Sequence, residues 1–128
     1  MLIWNVSDEW TTLIQLLSDG TKASPWNIRA AILEGMEIIF GKTKKIDAIS
    51  ATSRQMLLES LYFSLEDAKY TSVREACLRV LKLVVPLLLS GGLSPQERSD
   101  IKDRLKRYAE KESSSLLSEL LGALEKAL

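Results

Sequence analysis

The residues of this 128-residue chain with the types and spacing for acid–base chemistry are neighbouring carboxylates: Asp8 with Glu9, Glu34 with Glu37, and Glu66 with Asp67. Two carboxylates divide into acid and base only when unlike surroundings push their pKa values apart. None of these pairs sits in an apolar run that would raise one member, and all fall at helix ends or on polar faces. The chain has no histidine, which removes the commonest general base near neutral pH and the commonest metal ligand. Cys77, the single cysteine, lies among apolar residues at helical spacing and reads as a small buried hydrophobe rather than a nucleophile. Gly91-Gly92 lacks the third glycine and the following lysine of a phosphate loop. No acidic run has the spacing of a calcium loop. The expectation is a protein with no catalytic residues, no cofactor and no metal.

What remains is chemistry of contact. Lys42, Lys44 and Lys45 form the one basic cluster, either a docking site for an acidic protein surface or phosphate, or a solvated loop. Trp26 follows a polar loop, where it either packs on a neighbouring loop or stands exposed as an anchor for a partner. The 17 basic residues are matched by 17 acidic ones, which argues against a dedicated nucleic-acid binder. The greasiest stretch, Val80 to Leu89, contains Lys82 and Pro86 and falls short of the ~20 apolar residues of a membrane span. The N-terminus meets Asp8 and Glu9 directly and makes a poor signal peptide. One cysteine gives no internal disulfide. The expectation is a soluble, cytoplasmic protein that engages another protein, not a membrane.

The elements that position these residues read as six helices, with no alternating strand pattern. Ser7 is placed to cap a first helix over about 8–18, ended by Asp19 and Gly20. Ser24-Pro25 opens a second to about 40, with Ile28, Ala31, Ile32, Gly35, Met36 and Ile39 as its apolar side. Thr52 with Gln55 and Ser72 with Glu75 have the capping-box form and open helices to about 65 and 89, Pro86 being expected to kink or shorten the latter. Ser94, Pro95 and Glu97 give the strongest start in the chain, for a fifth helix to about 112. Its opposite charges, Asp100 with Arg104, Asp103 with Arg107 and Lys106 with Glu110, stand at i,i+4. A sixth helix follows Ser113–Ser115 and carries Leu116, Leu117, Leu120, Leu121, Leu124 and Leu128.

Helices two and four repeat one another. IRAAILEGMEII, from Ile28, aligns without a gap on VREACLRVLKLV, from Val73, an offset of 45 residues. Leu13 and Leu16 fall on Leu58 and Leu61 at the same offset, so the period belongs to a helix pair. Such a period lies in the range of HEAT and armadillo arrays.

At Ile28-Arg29-Ala30-Ala31 and Val73-Arg74-Glu75-Ala76 the chain resembles the HEAT family. The resemblance implies an all-α, right-handed solenoid of about three antiparallel helix pairs, with units near 7–41, 52–90 and 94–128, the last a degenerate terminal unit lacking the arginine motif. It also implies an arginine reaching an acid in the preceding loop: Asp67 for Arg74, Asp19 for Arg29. Ser24, Trp26 and Arg29 are similar to the first loop of TOG domains, the HEAT arrays that bind tubulin. Val73 to Cys77 looks like a segment of their CLASP branch. By that resemblance Trp26, Lys22 and Lys69 would lie on a tubulin-facing ridge, although a full TOG array is about twice this length. The functional expectation is a non-enzymatic adaptor, scaffold or subunit. A nucleic-acid-binding HEAT protein of the DNA-glycosylase type and a plain six-helix bundle are the alternatives. Three helix pairs meet the roughly three repeats an array needs, and suit a complete small protein or a piece of a longer one.

Overall fold

The structure, a computed structural model, describes residues 6–23, 25–43, 50–67, 69–90 and 93–128. Among them are six helices and no strand: α1 (Val6–Ala23), α2 (Trp26–Lys42), α3 (Ala51–Leu65), α4 (Thr71–Ser90), α5 (Pro95–Lys111) and α6 (Ser115–Lys126). None of them is long and apolar enough to cross a membrane.

The helix ends show which local signals win. Ser94 and Glu97 form the expected capping box, the Glu97 N–H donating to the Ser94 hydroxyl at 3.1 Å. Ser50 caps α3 instead of Thr52, accepting from the Ser53 N–H at 3.1 Å, so the helix begins at Ala51 and Thr52 lies within its first turn. Ser24 lies outside the described residues. The first helix does not stop at Asp19 and Gly20. It continues to Ala23, with the Thr21 hydroxyl donating back to the Ser18 carbonyl at 2.9 Å. Gly20 lies where α2 crosses: a Cβ on it would come within 2.7 Å of the Ile32 Cδ1, so the position favours a residue without a side chain. Pro86 does not end α4 either. An interior proline costs about 3 kcal/mol, and burial of Val84, Val85 and Leu88 around it outweighs that at about 1.5–3 kcal/mol per side chain.

Consecutive helices pack in pairs, α1 on α2, α3 on α4 and α5 on α6. Across pairs α1 lies on α3, α2 on α4, and α4 on α6. The order of contacts gives direction. Along α2, Arg29 meets Asp67, Glu37 meets Arg79, and Gly41 approaches Leu83. Between α3 and α5, Arg54 meets Glu97, Glu59 meets Arg104, and Glu66 meets Tyr108. In each series both numbers climb together, so the stacked helices run the same way. Most of these polar contacts join residues 42 to 45 apart in sequence, close to the offset of the sequence repeat.

The core runs through α4, which is buried on several sides by Val73, Ala76, Leu78, Val80, Leu81, Val84 and Leu88. The α1–α3 seam is different: Ser18, Thr21, Ser53, Ser60 and Ser64 are all buried. Small hydroxyl side chains let two helices approach closely. Ser60 and Ser64 satisfy themselves on the Leu57 and Ser60 carbonyls at 2.7 and 3.2 Å, so burial leaves no orphaned donor. On α2 the buried residues are Leu33, Met36 and Phe40, so the buried face is shifted from the expected one: of that face only Met36 is buried, Ile32, Gly35 and Ile39 are half-buried, and Ile28 and Ala31 are exposed, as is Ile38.

Candidate functional site

The turns after α1, α3 and α5 gather along one edge, because stacked helices running the same way bring like ends together. Two features mark that edge, a row of arginine–carboxylate pairs and an aromatic stack.

The arginines of the repeated motif reach forward, not back. Arg29 Nη2 donates to the Asp67 carboxylate at 2.7 Å, a residue 38 positions later. Arg74 repeats the reach over the same 38 positions, its Nε and Nη2 donating to Glu112 at 2.9 and 3.0 Å. The expected pairings, Arg74 with Asp67 and Arg29 with Asp19, are therefore corrected: the carboxylate comes from the turn of the following pair. Arg74 does touch Asp67, but through the backbone carbonyl, at 2.7 Å. Asp67 is thereby engaged from both sides, its Oδ1 accepting from the Lys69 and Tyr70 amides at 3.1 and 3.0 Å and its Oδ2 from Arg29. Asp19 lies on α1 with its side chain exposed. The stack supplies the reason, since it sets each turn beside the first helical turn of the preceding even-numbered helix. Arg74 and Glu112 keep only 8% and 5% of their side-chain surface in water, so neither charge is tolerable without the other.

Trp26 lies flat against Tyr70, ring centroids 4.6 Å apart and planes 16° from parallel. The Lys69 ammonium lies 5.3 Å from the centre of the Tyr70 ring, within cation–π range. Trp26 nevertheless keeps 41% of its surface exposed. Both readings of Trp26 hold together: it packs on a neighbouring loop and still offers an aromatic face. The sequence reading missed Tyr70, whose signal was an aromatic residue shortly before the second copy of the arginine motif.

The remaining expected contact residues do not join this group. Lys22 borders a shallow depression with Ala51, Thr52, Gln55, Met56 and Glu59. Lys42 ends α2, and 17 helical residues put it about 25 Å from Trp26. Lys44 and Lys45 lie outside the described residues.

Of the neighbouring carboxylates, Glu37, Glu66 and Asp67 are held in place by donors. Glu37 accepts from Arg79 at 3.0 Å and Glu66 from the Tyr108 hydroxyl at 2.7 Å. Tyr108 and Glu66, with Leu65, Arg74, Lys111, Glu112 and Ser113, line a depression of about 360 Å³. Burial and the Glu66 carboxylate push the Tyr108 phenol up to about 12. Burial pushes the Cys77 thiol well above its ordinary range, and its Sγ donates to the Leu61 carbonyl at 3.0 Å. Glu97 is held below the usual carboxylate range, first by the hydrogen bond from Arg54, whose Nε and Nη2 grip it at 2.9 and 2.8 Å. Among the described residues, no group of three or more acidic or sulfur ligands is close enough to hold a metal ion.

No protein-family model, curated protein or solved structure matches the chain.

Proposed function

We propose that the chain is a short HEAT-like, right-handed α-solenoid that works as a non-enzymatic protein–protein interaction module, an adaptor, scaffold or assembly subunit. The observation that carries this reading is the exposed Trp26–Tyr70–Lys69 stack on an edge made stiff by forward-reaching arginine pairs. An amphipathic aromatic held in one orientation loses little entropy when a partner covers it, and is a common anchor at interfaces. Same-direction stacking at a 42–45 residue spacing supports the solenoid over an unrelated bundle. The balanced charge supports a protein partner over nucleic acid, because five arginines are committed to carboxylates across helix pairs. Quantitative affinity capture with Trp26→Ala tests the edge, and a Lys42/Lys44/Lys45 charge reversal tests the lysine cluster separately. Loss of partners with Trp26→Ala supports the edge, and retention of every partner by both variants removes it.

A tubulin-binding role, as the TOG resemblance implies, is favoured by one observation: Trp26 and Lys69 share this edge. Arg29, the third residue of that likeness, is engaged with Asp67. Co-sedimentation of the chain with soluble or polymerised tubulin, compared with Trp26→Ala, decides that reading.

A further inference from the structure

We infer that the outer face of α2 is a second interaction surface, built to receive an amphipathic helix of a partner protein that carries a basic residue. The observation is a mismatch between the two copies of the repeat. In α4, Val73, Ala76, Val80 and Leu83 stand at i, i+3, i+7 and i+10, one stripe of a helix. Val73, Ala76 and Val80 are buried, and Leu83 packs against Gly41 of α2, so this stripe is what α2 covers. The same positions of α2 are Ile28, Ala31, Gly35 and Ile38. Ile28 is 46% exposed and Ile38 61%, Ala31 is exposed, and a Cβ on Gly35 would meet nothing within 4 Å. One copy of an apolar stripe is covered by a helix, and among the described residues no helix covers the other.

The covered copy says what fits the bare one. The helix on α4 presents Leu33, Met36 and Phe40 as its buried residues and runs in the same direction. Beside this apolar face Glu37 accepts from Arg79. At the position equivalent to Arg79, α2 carries the exposed Glu34, of opposite sign. The complementary helix therefore needs large apolar residues at the spacing of Leu33, Met36 and Phe40, with a lysine or arginine where α2 has Glu37.

A second copy of this chain does not meet that requirement. The helix at the far end of the row, α6, exposes Leu116, Glu119 and Ala123 at the i, i+3, i+7 spacing of Leu33, Met36 and Phe40, one large apolar residue where three are needed, with Glu119 among them. An antiparallel pairing of two α2 stripes sets both Glu34 side chains on one flank. Like charges opposed across an interface are unfavourable.

This surface lies apart from the Trp26 edge, and one experiment separates the two. The probe is a stapled 17-residue peptide of the α2 sequence, residues 26–42, carrying Glu37→Lys, titrated with the full chain by fluorescence anisotropy. The expected result is saturable binding, weakened about ten-fold or more by Ala31→Arg and by Glu34→Lys in the protein. Glu34→Lys should in turn bind the peptide with its native Glu37, and Trp26→Ala should leave affinity within about two-fold of the parent. Ala31 and Glu34 are exposed, and circular dichroism melts of the variants against the parent check that they fold. No saturable binding, binding indifferent to Ala31→Arg, or sedimentation showing a dimer that Ala31→Arg abolishes would each overturn the inference.

Discussion

Single residues in this protein are decided by what stands beside them rather than by their type. Gly35 and Gly20 share helix interiors, yet one faces open space and the other the Ile32 side chain. Gly35→Ala should therefore gain most of the helix-propensity difference, raising stability by about 0.5–1 kcal/mol in urea unfolding. Gly20→Ala should gain little or nothing, because Ile32 must move to admit the new methyl. Cys77 is fully buried with its thiol pushed up, so a thiol reagent should label it only at the rate of unfolding; rapid native-state labelling would contradict its burial. Most buried residues were legible from helical spacing. Ser53, Ser60 and Ser64 were not, since a serine's own hydrogen bond to the preceding turn, which makes its burial acceptable, leaves no mark in an apolar pattern.

Between elements, arginine–carboxylate pairs set the register that apolar packing leaves loose. Arg74 with Glu112 is the most buried of those that join helix pairs. Glu112→Ala should strand the guanidinium and cost about 3–5 kcal/mol, whereas replacing both partners by apolar residues of similar volume should cost much less; a double-mutant cycle measures the difference. Glu97 serves two elements, closing the α5 capping box and gripping Arg54 of α3. Its pKa is lowered in the fold, so its stabilising contribution is complete above the ordinary carboxylate pKa and is lost as pH falls through the depressed value. Glu97→Gln should leave unfolding less sensitive to acid between pH about 5 and the depressed pKa. The repeat at 45 residues was readable in sequence, and so was the existence of an arginine motif. Which acid each arginine takes was not. Asp19 is far nearer to Arg29 in sequence than Asp67 is, and only the stack brings the following turn within reach of the side chain.

For the whole molecule, the zero net charge acquires a location. Five arginines are spent in pairs with carboxylates across helix–helix joints, and the Trp26 edge and the apolar stripe of α2 stand exposed beside them. Trp26→Ala should cost only about 1 kcal/mol in stability, the scale of one aromatic pair, and its larger effect should fall on partner capture. Lys42, by contrast, stands a full helix length from Trp26 and takes no part in that edge.

All of this rests on like helices of successive pairs stacking in the same direction. Methyl-resolved NOE spectroscopy in solution tests that most directly. Cross-peaks between a Leu83 methyl and the Gly41 α protons, and between the Trp26 and Tyr70 rings, are the predicted result. Leu83 and Tyr70 showing cross-peaks only to residues outside α2, with none to Gly41 or Trp26, would contradict it.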